Sequence, residues 1–538
     1  MTRAPFMKRV SSYEEMHAQI DHSTMQIPEH FNLGVACVDE HDPEARAMTT
    51  VNPDRTSQDY TFGDVKKMAN QVGNALRSRG IGRGDVVAII NPQSIETAVS
   101  FMGIWRMGAI ALPISQLFGP DALQYRFENS GAKAVIVTAK NEEAVREALG
   151  EGSDVVVIVI GAGEGREDDF YAVLAAESDE AAPVDTLAED PAFLIYTSGT
   201  TGNPKGALHA HRIVFGQIPM FEAAYDFYPE PDDVLWSVAD WAWIAGLMDI
   251  LVPAWFYGLP IIVDLQEGFD PERAVWLCRE HKVTLSLLPA TAIRGIRSSG
   301  LEGGGFAFRA LASGGEPFSA GLYQWTRDFF GCDVNDAYGQ TEMNGLCCHS
   351  SKVYPSRPGS VGRAGPGNKV SVIDGEGNEL VDQVGEIVVD RNHPLVMIEY
   401  WRNPQATKEK FHGDWLLTGD LGRIDEDGYV WFESRKDDVF KTSGYRVGPT
   451  EIENCLSAHD AVALAAVIGV PDEKRGHVPK AFVVLRDQSA GSDELVEELR
   501  AYVRSRLAAH EVPRQIVFVE DLPRTVTGKI MRRALRDD

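Results

Sequence analysis

The chain has 538 residues, 44% of them hydrophobic and 24% charged, a globular balance long enough for more than one domain and too apolar for a disordered chain. Its 51 basic and 79 acidic residues leave a formal net charge of -28, which repels nucleic acid and anionic lipid and argues against a general nucleic-acid role. The same field repels ATP and carboxylates, so a site for such anions must be locally basic or rich in backbone N–H groups.

The first residues, MTRAPFMKRVSSYEEMHAQ, have no apolar run after their basic positions and do not read as a secretory signal. Cys37, Cys278, Cys332, Cys347, Cys348 and Cys455 form no C-x-x-C pair, which argues against a disulfide framework or zinc site and for a reducing, cytoplasmic setting. Amphipathic stretches at 61–79 and 141–149 predict helices. Short β-branched runs at 85–90, 134–138 and 154–160 predict strands buried on both faces of a parallel sheet, hence a large α/β body.

The most informative stretch is AFLIYTSGTTGNPKGALHAHR, residues 192–212. An apolar strand at 193–195 enters a loop of glycines and hydroxyls, and a helix is expected from about His209. Glycine lets the backbone approach a ligand closely, hydroxyls and free N–H groups donate to phosphate oxygens, and Lys205 adds positive charge. The spacing is not Walker A, because Pro204 stands before the lysine and the preceding glycine is three residues back. His209 and His211, just beyond, are assigned structural rather than catalytic places.

The run WAWIAGLMDILVPAWFYGLPIIV, Trp241 to Val263, is long enough for a bilayer, but Asp249 interrupts it and Pro253, Gly258 and Pro260 break it. It reads as a buried helix followed by a core strand, with no transmembrane segment. Tyr338-Gly339-Gln340-Thr341-Glu342 follows an expected strand end at 333–336, and Thr418-Gly419-Asp420 also ends a strand-like run. An acid at a strand end suits a ribose diol or a Mg²⁺ ion, although each acid taken alone is more often a turn or cap acid. From about 370 to 435 short strands and turn signals predict a β-rich subdomain. Beyond Ser434-Arg435-Lys436-Asp437-Asp438 comes a compact α+β unit with helices at 450–458 and 493–509 and strands at 462–469, 481–485 and 515–518. The expected division is 1–435 and 436–538, with a hinge within 435–438. Near the C-terminus, Pro523-Arg524-Thr525-Val526-Thr527-Gly528-Lys529-Ile530 forms a basic, glycine-containing loop.

Taken together and in order, YTSGTTGNPKG, YGQTE, TGD with ESRKDD, KTSGYRV and TGKIMRR resemble the adenylate-forming superfamily of acyl-CoA synthetases, luciferases and peptide-synthetase adenylation domains. IPEHFN and the forms YGQTE and KTSGYRVGPTEIE look most like medium-chain acyl-CoA synthetases. The resemblance implies a large N-terminal α/β domain, a small β-rich subdomain, a mobile α+β C-terminal lid, the substrates ATP, coenzyme A and a carboxylic acid, and Mg²⁺ as cofactor. It implies that Thr197, Ser198, Gly199, Thr200, Thr201, Gly202 and Lys205 hold the β- and γ-phosphates. Gly315, Glu316 and Pro317 would line the adenine with Asp336, Ala337 and Tyr338, in the motif that continues through Gly339, Gln340 and Thr341. Asp420 and Arg435 would take the ribose, Thr200 and Glu342 the Mg²⁺ ion, Arg446 the adenylate phosphate, and Lys529 would be the adenylation lysine, with Asp437 as hinge.

The resemblance also places the acid against Trp243, Ile244 and Ala245 and the flanks Gly314 and Gly339. Acetate-specific relatives carry a tryptophan where this chain has Gly339 and a larger aliphatic residue where it has Gly314. Losing that bulk implies a medium-chain, branched or cyclic acid, each buried methylene contributing about 0.8 kcal/mol. A peptide-synthetase module would be followed by a carrier domain, and the chain stops at Asp538, so delivery to coenzyme A is expected over delivery to a carrier protein. A homo-oligomer is left open.

Overall fold

The computed structural model of the chain describes residues 3–163, 165–197, 203–227, 229–316, 318–442, 445–472, 475–525, 530–532 and 534–536. They fall into two compact units, one running to 369 and including 390–416, the other made of 370–389 and 417–538.

The first unit holds two large sheets. One carries, in order across the sheet, Glu399–Tyr400, Lys205–Ala210, Pro191–Thr197, Ile110–Pro113, Val86–Ile90, Ala134–Thr138 and Val156–Ile160. Its last five strands are parallel, and Val86–Ile90 is buried along its whole length, as its continuous β-branched sequence dictates. The other sheet orders Arg363–Ala364, Asn344–Cys348, Val334–Gln340, Ala310–Gly314, Leu285–Leu287, Leu235–Ser237, Ile261–Asp264, Arg46–Val51 and Ser57–Thr61. Its centre is parallel, and antiparallel strands close both edges.

Helices cover these sheets where the sequence supplies a cap and an apolar face. Phe62–Ser78 starts with a reciprocal capping box between Thr61 and Asp64, and its positions 65, 69, 72 and 76 are buried at helical spacing. It crosses the helix Ile95–Arg106, buried at every position but Glu96, so closely that a Cβ on Gly103 would lie 2.6 Å from the Ala69 carbonyl. The N-terminal arm is fixed differently. The buried Glu222, on helix Ile213–Ala224, accepts from the backbone N–H of Phe6 at 2.7 Å and of Met7 at 2.8 Å, and from the Tyr257 hydroxyl.

The long apolar run is a helix interrupted by a π-helical turn at Leu247–Leu251, then the helix Val252–Tyr257, ended at Gly258 with φ +73°, then the core strand Ile261–Asp264. Among the described residues no helix is long and apolar enough to cross a membrane.

Val370–Ile373, Gly385–Asp390, Trp415–Ile424 and Val430–Arg435, all but Asp390, Trp415 and Leu416 in the second unit, form one sheet. Tyr445–Val447, Phe440–Thr442, Gly476–Leu485 and Val462–Asp472 form another, with Gln515–Phe518 parallel to Gly476–Leu485. Helices Pro449–Ser457 and Asp493–Arg504 pack on that sheet through Ile452, Leu456, Leu499 and Val503. The second helix stops five residues short of the expected 509, because Glu511 folds back to accept from the Ala508 N–H at 2.8 Å and closes a turn there.

Candidate active site

The glycine-rich segment lies between two antiparallel strands, with Thr197 paired to Lys205. This corrects the expectation of a strand-to-helix transition from His209. Lys205–Ala210 is a strand because it pairs on both sides, with Pro191–Thr197 and with Glu399–Tyr400, and the helix begins only at Ile213. Ser198, Gly199, Thr200, Thr201 and Gly202 lie outside the described residues, but both flanks of the loop are described and both are gripped by helix Pro120–Ser130. The Tyr196 hydroxyl donates to Asn129 Oδ1 at 2.6 Å, and the Tyr125 hydroxyl donates to the Pro204 carbonyl at 3.0 Å. Arg126 lies over the rings of Phe118 and Tyr196, 3.9 and 5.7 Å from their centroids. No motif marks this helix, and sequence reasoning missed it.

Beyond the loop, Lys205 Nζ sits 5.4 Å from the ring centroid of Tyr400, a cation–π distance. The Tyr400 hydroxyl donates to Glu342 Oε1 at 2.5 Å, and Lys410 Nζ lies 3.7 Å from the same oxygen. Glu342 is buried, and its neighbour Thr341 is held through its carbonyl by His209 Nε2 at 2.7 Å. A carbonyl only accepts, so that nitrogen carries the proton. Burial pushes the His209 imidazole down to about 4, so it is neutral near pH 7 and acts as a tether between the two sheets. His211 is likewise buried and accepts from the Leu33 N–H through Nδ1 at 3.2 Å.

The adenine-motif residues lie further along the strand than expected. The strand assigned to 333–336 runs Val334–Gln340 and turns back at Asn344, so Asp336, Ala337, Tyr338, Gly339 and Gln340 are all strand residues. Burial raises the Asp336 carboxyl well above its ordinary range, and its Oδ1 accepts from the Ala337 N–H at 3.1 Å. Gly315 has φ +79°, and Glu316 is fixed by Arg294 and Thr291, each at 2.6 Å. Pro317 lies outside the described residues.

Gly314 and Gly339 are glycine for a backbone reason. A Cβ on Gly339 would stand 1.9 Å from the Asn344 carbonyl oxygen across the hairpin, and one on Gly314 would stand 2.8 Å from the Ala337 carbonyl. On this backbone both positions are thus held to glycine by strand approach. Trp243, Ile244 and Ala245 open the interrupted helix. Trp243 packs edge-on to Phe118 at 6.3 Å, the same ring that lies under Arg126.

The second unit carries the remaining positions. Asp420 is buried in the middle of strand Trp415–Ile424, rather than at its end, and faces Arg435 on the neighbouring strand, with Arg435 Nε 3.8 Å from Oδ1. Gly419, at φ +77°, bends the strand there, and its N–H donates to Glu386 Oε1 at 3.0 Å. After Arg435, Asp438 receives Arg532 Nη1 at 2.8 Å, and Arg532 also pairs with Glu453 at 2.6 Å. Asp437 lies in this turn. For Arg446 the backbone alone is described, paired with Lys441. Lys529 lies outside the described residues.

Among the described residues no three His, Cys, Asp or Glu side chains cluster as a metal site. Glu342 is a single buried carboxylate beside the phosphate-loop flanks. That donor set fits Mg²⁺, which takes one or two carboxylates and completes its shell with water and phosphate oxygens.

Residues 37–401 match the family model of the AMP-binding enzymes, and residues 451–529 match that of the AMP-binding enzyme C-terminal domain. The chain is 34% identical over 491 residues to an acetyl-coenzyme A synthetase of Bacillus subtilis (strain 168), covering 90% of this chain and 85% of the relative. It is 31% identical to the mitochondrial acyl-coenzyme A synthetase ACSM1 of Mus musculus, covering 89% and 85%. Among solved structures, the anthranilate CoA ligase AuaEII in complex with anthranoyl-AMP superposes with a TM-score of 0.86 at 28% identity, covering 96% of this chain and 98% of that one.

Proposed function

Since the chain belongs to the AMP-binding enzyme family, among the AMP-forming acyl-CoA ligases, we propose that it joins a carboxylic acid larger than acetate to coenzyme A at the expense of ATP. The carboxylate oxygen attacks the α-phosphorus of ATP, the bond to the bridging β-phosphate oxygen breaks, and acyl-AMP and pyrophosphate form. The coenzyme A thiol then attacks the acyl carbon, loses its proton, and displaces AMP.

The observation that carries this reading is the meeting of Lys205 and Glu342 on Tyr400, next to a loop whose two ends are held by one helix. Attack of one anion on another needs positive charge where charge builds up. Lys205 supplies it to the departing phosphates, Arg446 to the adenylate phosphate, and Lys529 bridges the carboxylate and the α-phosphate. Asp420, oriented by Arg435, takes the ribose hydroxyls. Glu342 with Thr200 would hold a Mg²⁺ ion, which would withdraw charge from the phosphate oxygens. Lys529 is needed in the first step and obstructs the second, so the lid turns about Asp437 between them. The domain boundary is placed at 435/436 on that basis.

The acid lies against Trp243, Ile244 and Ala245. The size of the acid rests on the resemblance, in which bulkier residues of acetate-specific relatives stand where this chain has Gly314 and Gly339. Six free cysteines, four of them buried, support a reducing, cytoplasmic setting.

Pyrophosphate release with acids from acetate through octanoate and benzoate, with and without coenzyme A, tests the proposal. Thioester is expected with butyrate or a larger acid in preference to acetate. Acetate activity far above all others would overturn the size argument, and acyl-AMP that coenzyme A cannot discharge would instead favour a carrier protein as acceptor.

A further inference from the structure

Asp249 is the acid that interrupts the apolar run, and the mechanism leaves it unused. Its neighbours Leu247, Met248, Ile250 and Leu251 are all buried. Dense protein around its carboxyl pushes it up to about 7, yet the residue keeps accessible surface, as do Trp243 and Ala245 on the same segment and Gly339 and Gly345 on the adjoining hairpin. Asp249 is thus partly accessible on the same segment as the acid-binding residues Trp243 and Ala245.

The carboxylate is fixed on one side and free on the other. Oδ1 accepts from Asn344 Nδ2 at 2.9 Å and from Gln217 Nε2, and Oδ2 makes no hydrogen bond among the described residues. Asn344 is itself fixed, at φ +49°, in the turn after Glu342. Asp249 sits on the π-helical turn, a rare distortion that recurs at functional sites. A carboxylate oxygen without a donor on a segment whose neighbours are buried and apolar is costly, and a leucine there would avoid the cost. A ligand that brings a donor removes it.

We infer that Asp249 is a specificity-determining residue of the acyl site, its Oδ2 accepting a hydrogen bond from a hydroxyl or amino group carried at the far end of the acid substrate. The substrate class is then an acid with a distal donor rather than a purely hydrocarbon one. This rests on the reading that the acyl chain lies along Trp243–Ala245. The two amides on Oδ1 hold the acceptor in place before the substrate arrives, so little ordering is needed on binding.

The test measures kcat/KM for acid-dependent ATP–pyrophosphate exchange on matched pairs: hexanoate against 6-hydroxy- and 6-aminohexanoate, and benzoate against 3- and 4-hydroxy- and aminobenzoate. The full chain is compared with Asp249→Leu and Asp249→Asn. The wild type is expected to favour a donor-bearing member of at least one pair by about 10-fold or more, because a buried acceptor left unpaired discriminates strongly. Asp249→Leu is expected to reverse that preference. In Asp249→Asn the amide oxygen is held by Asn344 and Gln217 and the amide NH2, a donor, takes the place of Oδ2, so an amino preference is expected to be lost in this variant, whereas a hydroxyl, which can also accept, is expected to keep part of its preference. Preference for the hydrocarbon acid in every pair, or a ratio unmoved by Asp249→Leu, overturns the inference. If the leucine variant does not fold, preferences identical in wild type and Asp249→Asn on the amino acids, together with no hydroxyl preference, overturn it. Exchange with none of the acids would overturn acid activation itself, whereas exchange that ignores position 249 sinks only this inference.

Discussion

Lys205 and Glu342 are joined through one side chain: Tyr400 presents its ring face to the Lys205 ammonium and donates its hydroxyl to the Glu342 carboxylate. The phosphate-side lysine and the acid assigned to the metal ion are therefore held at a fixed separation by a residue that belongs to neither motif.

Tyr400→Phe keeps the ring and removes the hydroxyl. A hydrogen bond to a charged group contributes about 1.5–3 kcal/mol, so adenylation is expected to fall about 10- to 100-fold, with more Mg²⁺ needed for half-maximal rate. Pyrophosphate release against Mg²⁺ concentration reads this, and an unchanged Mg²⁺ curve would remove Tyr400 from the metal side of the site.

Tyr125→Phe frees the Pro204 carbonyl at one end of the phosphate loop. The loss of one neutral hydrogen bond, about 1 kcal/mol, is expected to raise the KM for ATP about 5-fold and leave that for the acid alone. Equal rises in both would mean that helix Pro120–Ser130 supports the body generally and not the loop.

Lys529→Ala is expected to abolish acyl-AMP formation while thioester still forms from supplied acyl-AMP. Equal loss of both half-reactions would refute the division of labour between the two steps.

Glu222 gives a pH prediction. Burial raises its carboxyl to about 7 in the folded chain against 4.5 unfolded, so the folded state holds the proton more tightly. The resulting stabilisation is full below pH 4.5 and is lost as pH rises to about 7, amounting to about 3 kcal/mol. Glu222→Gln lacks the titration, so the stability advantage of wild type over the variant should shrink between pH 4.5 and 8 in urea unfolding. A constant difference across that range contradicts the argument.

Much of the fold is readable from pattern because the pattern is physical. The β-branched run 134–138 is buried on a parallel strand, and 515–518 is a strand to the residue. Other features depend on partners distant in sequence. KGALHA has no strand alternation and becomes one only because two neighbours pair with it. Tyr400 and Lys410 acquire their place from Glu342, some sixty residues away, and nothing near them marks it. Gly339 carries a constraint that sequence does not display: on this backbone a Cβ there would meet the carbonyl of Asn344, a partner known only once the hairpin is formed.

The contact from His209 to the Thr341 carbonyl stitches the sheet that carries the phosphate loop to the sheet that carries Glu342. Slippage between those two layers is thus transmitted first to the reacting groups. On heating, activity should fade at temperatures where circular dichroism still reports an intact fold, so that the enzyme is inactivated by misalignment before it unfolds.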